Sequence, residues 1–436
     1  MKHLLQVFLS FILFNFIIIT LCYVETEEDF ITISSKSEDI SVAKDRRYIL
    51  YEINYGEGFN LRRDVYMRIA QTVQTLRKKG ENFVLVLPPW GNLYHWRDRA
   101  QRIPWSELFD IKSLNLFIPV IEFEEFLNEN GNIFDQVVYL QHYAEGWNNG
   151  KWEEKFDIRE CIDAERYYSK DGGKMWKGFF YSYENIRAKN LTCLSIQGES
   201  KTLANAITLL FSDLNTVFID RAETILHDSF GNNIYWKIRR SMRYASNLYK
   251  IAEEYRQKYL DSNSETDKIV FPEIWLDETD SERNAVGGKY ISAHLRRQDF
   301  IRSHDKNVPS LKEAAIQLKN ICEKLSIKKV FVATDADKSE IEQLSNLLSK
   351  YNIKLYYFIP ETLLSDGAVS IIDQIIASKA FYFIGTHSST FSYRIREDRE
   401  IMHFSLESTF NDFCKHSKDV GNKEKCEQPA KWKIVY

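Results

Sequence analysis

Between Tyr290 and Arg399 the chain alternates short β-branched and aromatic runs with longer segments of helical period, a pattern that few architectures accommodate. The expected order is strand Tyr290–Leu295, helix Leu311–Leu325, strand Lys329–Ala333, helix Lys338–Tyr351, strand Lys354–Ile359, helix Ala368–Ala380, strand Phe381–Ile384 and helix Ser389–Arg399. Strands joined through helices pair in parallel, and the crossovers cover both faces of the sheet.

A second block precedes it. Tyr48, Ile49, Leu50, Tyr51 and Ile53 mark a buried strand within Arg47–Asn54. A glycine turn follows, then a helix over Asn60–Lys79 with Leu61, Val65 and Ile69 at helical spacing, then a strand over Asn82–Leu87 that Pro88 and Pro89 stop. Apolar runs recur at Leu116–Phe123 and Gln136–Leu140, and the aromatic-rich stretch Trp147–Tyr183 shows no regular period. A helical region over Asn232–Leu260 leads into the polar segment Asp261–Gly288, which reads as a connection or surface loop. At 436 residues the chain has room for two ordinary domains. The prediction is an α/β protein of two Rossmann-like domains, 47–260 and 261–436, with parallel sheets facing across a cleft.

Lys2 and His3 precede an apolar run from Leu4 to Leu21, so residues 1–23 read as a secretory signal peptide or a retained single-pass anchor. Residues 24–46 are rich in Glu, Ser and Asp and read as a flexible stem. Membrane contact is expected only if the amino-terminal segment is retained. Cysteine use fits an oxidising compartment: Cys414 and Cys426 flank a polar loop, Cys161 with Cys193 would close an aromatic-rich one, and Cys322 reads as a buried thiol. Asn190-Leu191-Thr192 is a glycosylation sequon. A net charge of -4 gives no global basic field, which argues against nucleic acid as a partner.

Open parallel sheets bind ligands beyond the carboxyl ends of their strands. His294, Arg296 and Arg297 follow one strand there, Thr334 and Asp335 another, and Gly385-Thr386-His387-Ser388-Ser389-Thr390-Phe391 a third. Guanidinium groups stay charged and match phosphate oxygens in pairs, and hydroxyl residues at a helix start cap it and aim its free amides at an anion. Together they suggest a diphosphate clamp. Asp373, among isoleucines, is costly unless partnered; a guanine edge would satisfy it, as would an exposed helix position or a structural ion pair. In the first block, Tyr55-Gly56-Glu57-Gly58-Phe59-Asn60 sets a glutamate between two glycines at a strand-to-helix turn, placed to take a proton from an acceptor hydroxyl. Asp335-Ala336-Asp337 imitates an acidic metal motif, but its place before a helix favours capping.

Six ordered segments carry a family resemblance: Gly56-Glu57-Gly58-Phe59-Asn60-Leu61-Arg62-Arg63-Asp64, Leu87-Pro88-Pro89-Trp90-Gly91, His142-Tyr143-Ala144-Glu145-Gly146-Trp147, His294-Leu295-Arg296-Arg297-Gln298-Asp299-Phe300, Val332-Ala333-Thr334-Asp335 and Ser389-Thr390-Phe391-Ser392. From about Arg47 to Tyr436 the chain resembles the protein O-fucosyltransferases that act on thrombospondin type 1 repeats. The resemblance implies a GT-B fold and an inverting enzyme of the endoplasmic reticulum lumen. It would move L-fucose from GDP-fucose to Ser or Thr of folded thrombospondin type 1 repeats, with no metal or other cofactor required. It further implies that Glu57 is the base, that Arg296 receives the diphosphate, and that Gly56, Gly58, Phe59, Asn60, His294, Asp373, Ser389, Thr390 and Phe391 line the donor site. The family's acidic pair falls at Glu397 and Asp398, the second shortened by a methylene, which makes these candidate functional acids. Tyr55-Gly56 replaces an expected pair of prolines. Transfer to EGF-like repeats or N-glycans, a noncatalytic luminal nucleotide- or glycan-binding protein, and a sulfotransferase are the alternative readings.

Overall fold

The computed structural model describes residues 46–93, 96–98, 100–146, 152–269, 271–304, 307–416 and 429–436. The expected signal peptide or anchor, the stem apart from its last residue, Trp147 and Cys426 lie outside these residues. Residues 45–436 cluster as one unit, built from two sheet-containing lobes.

The amino-terminal lobe starts with β1 (Arg47–Tyr51), α1 (Phe59–Lys78), β2 (Phe83–Leu87), β3 (Val120–Glu122) and β4 (Ile133–Gln141). It continues through β5 (Lys155–Ile158), β6 (Ser169–Asp171), β7 (Met175–Lys177), β8 (Arg187–Gln197), α2 (Ser200–Leu210) and β9 (Thr216–Asp220). Its sheet runs β3-β2-β1-β9-β4-β8-β7-β6, with β5 also on β8. Strands β3 to β8 in this order are parallel, whereas β5 and β7 pair antiparallel with β8 and β6 antiparallel with β7. The expected purely parallel sheet is therefore mixed. The antiparallel strands lie in the aromatic-rich insertion, which the Cys161–Cys193 disulfide ties to β8. Cys414 is also disulfide-bonded, and Cys322 is a buried free thiol.

The helical region over 232–260 breaks into α3 (Asn233–Ser241) and α4 (Ser246–Tyr255), the latter running on into a π-helical turn over Arg256–Leu260. Between them the backbone pairs with another segment: Asp110 donates to the Arg243 carbonyl at 2.9 Å and Ala245 to the Leu108 carbonyl at 3.0 Å. Those bonds satisfy the groups that a continuous helix would have paired internally.

The carboxy-terminal lobe follows its predicted order: β10 (Gly288–Leu295), α5 (Leu311–Leu325), β11 (Lys329–Thr334), α6 (Lys338–Ser349), β12 (Lys354–Tyr356), α7 (Asp366–Ser378), β13 (Ala380–Ile384) and α8 (Thr390–Ile401). Its strands, ordered β12-β11-β10-β13, are all parallel. The order reverses between β10 and β13, and in the first lobe between β1 and β9. Parallel sheets open a ligand crevice at such reversals.

One apolar core joins the lobes. It contains Val65, Tyr66, Ile69 and Val73 of α1, Tyr235 and Trp236 of α3, Ile371, Ile372 and Ile375 of α7, and Ile395 of α8. Lobes that share a core of this kind are held together far more firmly than lobes joined by a polar hinge.

Candidate active site

The turn after β1 is fixed by its backbone. The Glu57 amide donates to the Asn54 carbonyl at 3.0 Å, the Asn54 amide to Glu223 Oε2 at 3.1 Å, and Arg62 Nε to the Glu57 carbonyl at 3.1 Å. Gly58 is the N-cap of α1 without a side-chain cap, so Glu57 stands just before an electropositive helix end. Its carboxylate is partly exposed and makes no hydrogen bond or ion pair with any described residue. Gly56 is exposed. Phe59, expected to line the donor site, is 6% exposed and packs edge-on against Trp90 at 4.9 Å, because α1 begins by burying its first side chain under the loop after β2.

At the end of β10 the chain alternates direction. His294 and Arg296 share one side, and Arg297 turns to the other. His294 is buried, its Nδ1 lies 2.8 Å from Ser392 Oγ, and its ring stacks on Phe391 with centroids 4.3 Å apart. Burial, reinforced by Arg296 and Arg396, pushes the imidazole down to about 3, so it is neutral at physiological pH. Arg296 pairs with Asp335 and, at 2.7 Å, with Asp299, and its amide donates to Thr386 Oγ1 at 2.9 Å. Arg297, expected in the same clamp, instead binds Glu340 at 2.6 Å and the Pro309 carbonyl at 2.9 Å. It is a structural residue of its own lobe.

Asp335 and Asp337 also part company. Asp337 caps α6 through the Glu340 amide at 2.9 Å, as expected, while Asp335 does not cap but holds Arg296 and the Arg297 amide. Burial pushes the Asp335 carboxyl up against the pull of Arg296.

The loop from β13 to α8 completes this end. Thr386 Oγ1 donates to the His294 carbonyl at 2.8 Å, fastening the loop to β10, and Ser392 Oγ accepts the Thr386 amide at 3.0 Å. A Cβ at Gly385 would lie 2.6 Å from Ser392 Oγ, so this approach requires glycine. Ser389 is the buried N-cap of α8, but its side chain makes no cap bond, contrary to the expected hydroxyl capping. The first-turn amides at Thr390 and Phe391 therefore face the same end as Arg296 without a side-chain cap, the arrangement that binds anions.

Asp373 lies on α7. The residue is partly exposed, yet its Oδ1 is closed off from solvent and has no hydrogen-bond partner, and burial holds the carboxyl well above the usual range. Tyr255, close enough to feel its charge, packs edge-on against Phe331 and Phe358. An orphaned carboxyl oxygen beside an aromatic wall is costly unless a ligand supplies the missing donors.

Next to it, Gln374 Nε2 donates to Asn60 Oδ1 at 2.8 Å, which joins the Glu57 turn to the helix carrying Asp373. Arg63 binds Asn60 at 3.2 Å, Gln374 at 2.7 Å and Tyr244 Oη at 3.0 Å. Tyr244 donates on to Asp398 Oδ2 at 3.0 Å. Glu397 is fully buried and paired with Arg239 at 2.6 Å and Arg394 at 3.0 Å, and Asp398 with Arg239 at 2.5 Å. The candidate functional acids Glu397 and Asp398 thus belong to an interlobe clasp.

Asn190 is exposed on β8, with Nδ2 3.3 Å from the Asp135 carbonyl. Sequence reasoning missed Glu52, a carboxyl pushed up to about 8 by burial at the end of β1. The available signal was its position directly after four apolar strand residues.

Two lobes, each built on a sheet with a strand-order reversal, and an uncapped helix start at one of those reversals define a GT-B-type protein. Comparison with known proteins narrows the class. Residues 48–402 match the family described as GDP-fucose protein O-fucosyltransferase. The chain is 47% identical over 402 residues to GDP-fucose protein O-fucosyltransferase 2 of Caenorhabditis elegans, covering 92% of this chain and 93% of that one. It is 47% identical over 403 residues to the Homo sapiens protein of that name, covering 90% and 91%. A crystal structure of POFUT1 in complex with GDP-fucose shares the fold, with a TM-score of 0.55, 15% identity and coverage of 84% of this chain and 98% of that one. The chain belongs to the GDP-fucose protein O-fucosyltransferase family.

Proposed function

We propose that this protein is a peptide O-fucosyltransferase that moves L-fucose from GDP-fucose to Ser or Thr hydroxyls of folded thrombospondin type 1 repeats, with inversion at the anomeric carbon. The observation that carries the reading is the carboxy-terminal lobe's anion site, Arg296 beside the uncapped start of α8, with the orphaned Asp373 oxygen on the neighbouring helix. Asp373, as carboxylate, accepts the ring N–H and amino group of guanine. Arg296 and the α8 amides stabilise the charge that grows on the diphosphate as the glycosidic bond breaks. His294, neutral and fixed between Ser392 and Phe391, serves as a hydrogen-bonding wall.

Glu57 takes the acceptor proton as the new C–O bond forms on the face opposite GDP. Its freedom from internal partners suits a base that must meet an incoming hydroxyl. The charge on the leaving group is met by protein cations and amides, so the reaction needs no obligatory metal. Turnover should persist in chelator. The apolar amino-terminal segment and the Cys161–Cys193 disulfide support residence in the endoplasmic reticulum lumen, where Asn190 would be glycosylated.

The test is incubation with labelled GDP-fucose and, in parallel, folded thrombospondin type 1 repeats, EGF-like repeats and N-glycans. Label on the thrombospondin repeat alone is expected. Transfer only to EGF-like repeats or glycans overturns the acceptor assignment, and GDP-fucose binding without transfer overturns the enzyme.

A further inference from the structure

At the carboxyl ends of β1 and β2 a pocket of about 360 Å³ opens, lined entirely by the amino-terminal lobe. Glu52, Arg62, Asn92, Arg102, Phe179 and Tyr181 supply its chemistry. Arg62 is 9% exposed and spends only Nε within the protein, on the Glu57 carbonyl at 3.1 Å; its two Nη groups bond to no described residue. Glu52, which lines the pocket, accepts the Tyr181 amide on Oε2 at 3.0 Å, and its Oε1 has no hydrogen bond to any described residue.

The far wall is built at some conformational expense. Phe180, Tyr181 and Ser182 all have positive φ, 33°, 55° and 68°, and Tyr181 Oη donates to the Tyr51 carbonyl at 2.7 Å. Three successive residues in a region unfavourable to side chains persist only where the surroundings hold them, a condition frequent at binding sites. The rim carries Arg102, stacked 4.0 Å over the Tyr183 ring, and the exposed Phe179.

The pocket is bounded by the amino-terminal lobe alone, whereas Arg296 and the start of α8 lie in the other lobe. The pocket wall shares Arg62 with the Glu57 turn, so an occupant would lie beside the proposed base. We propose that this pocket seats the acceptor polypeptide, with the Arg62 Nη groups and the Glu52 carboxyl donating to an acceptor oxygen, either a main-chain carbonyl or a side-chain carboxylate. The inference rests on the transferase reading above and adds to it the residues that select the acceptor.

The subsite has a pH signature. Burial raises the Glu52 carboxyl to about 8; Arg62 pulls it down, while Asp220 and Glu223 push it further up, and the tyrosines at 51, 168 and 181 lie around it. At pH 7 Glu52 therefore carries a proton that it can donate. Above pH 8 it becomes an anion facing the acceptor oxygen, and acceptor binding weakens.

Steady-state transfer by the full chain, with GDP-fucose and the folded repeat varied separately from pH 7 to 9, tests this. The native protein's acceptor KM is expected to rise roughly fivefold or more over that range, with the donor KM flat. Glu52→Gln keeps a donor at every pH, so its acceptor KM should stay near the native pH 7 value throughout. Arg102→Gln, on the exposed rim, should raise the acceptor KM a fewfold without moving the donor KM. Thermal unfolding of both variants checks the fold; if Glu52→Gln does not fold, the native pH profile and Arg102→Gln decide. Carboxylate-to-amide changes near the modified hydroxyl of the repeat identify the occupant: a raised KM points to a side chain, an unchanged one to a main-chain carbonyl. Normal transfer with an acceptor KM indifferent to pH and to these substitutions overturns the subsite alone, whereas no transfer by the native protein overturns the functional reading and the subsite with it.

Discussion

The turns after β1 and β10 stand at corresponding places in the two lobes, beside the strand-order reversal of each sheet, but they are built on opposite plans. After β10 the key side chains are tied down: Arg296 by Asp335 and Asp299, His294 by Ser392, and the loop by Thr386. After β1 the backbone is pinned, yet the Glu57 carboxylate makes no bond to any described residue. A group that must receive a leaving charge gains from being oriented beforehand, because no reorganisation is then needed as charge develops. A group that must capture a proton from an incoming partner gains from being unengaged until that partner arrives.

The contrast breaks most sharply at Glu57. Glu57→Gln should lower turnover by about 10²- to 10⁴-fold while leaving GDP affinity within about twofold by calorimetry. A variant that loses GDP affinity but not turnover would assign Glu57 to the donor site.

Arg296 and Arg297 form an internal control of adjacent identical residues. Arg296→Ala should cut kcat/KM for GDP-fucose by roughly 10²- to 10³-fold, the scale for removing one group that stabilises transition-state charge. Arg297→Ala should leave the donor constants near native and instead lower stability in urea by about 2 kcal/mol, because Glu340 loses a charge-assisted hydrogen bond. Equal kinetic losses in both variants would show that the two guanidinium groups act together.

This pair also shows where sequence reading reached its limit. The carboxy-terminal lobe was legible nearly element by element, since each strand and helix satisfies its own period and ends on its own turn residues. Two adjacent arginines, however, carry equal weight in a motif, and only the two-residue alternation of strands separates His294 and Arg296 from Arg297. Glu397 and Asp398 were harder still. Glu397 has one near partner, Arg394, an ordinary i,i+3 helix pair, but Arg239 and Tyr244, which make the clasp between the lobes, lie more than a hundred residues away, so nothing local distinguishes a buried clasp from an exposed pair of acids. In the amino-terminal lobe β8 and β9 went unassigned. The antiparallel insertion carrying Trp176 and the Cys161 disulfide interrupts the parallel order there, and β8, with Lys189, Asn190 and Thr192 in its first half, does not read as a buried strand.

Asp373 sharpens the donor side through pH. With no ligand, burial holds its carboxyl well above the usual range. Guanine donors favour the ionised form, so binding should lower that pKa and release a proton. GDP affinity should therefore increase with pH until Asp373 is ionised in the free protein, then level off. Calorimetry in buffers of different ionisation enthalpy measures the proton directly, and Asp373→Asn should abolish the release. Binding without proton release by the native protein would remove guanine from this carboxylate.

The smallest effect lies at Gly56. No atom falls within 4 Å of a Cβ built there, and its φ is not positive, so neither space nor backbone conformation requires glycine. Gly56→Ala should then stabilise the protein by about 0.4–1 kcal/mol, by narrowing the unfolded ensemble. The kinetic consequence discriminates between two accounts of the turn. If Glu57 works because its backbone is already pinned by Asn54 and Arg62, turnover stays within about twofold of native. If instead the Glu57 turn must flex to let the acceptor in, kcat falls while the unfolding midpoint rises, and the comparison between a fixed carboxy-terminal turn and an unengaged but equally fixed Glu57, the proposed base, would have to be replaced by one between a rigid lobe and a mobile one.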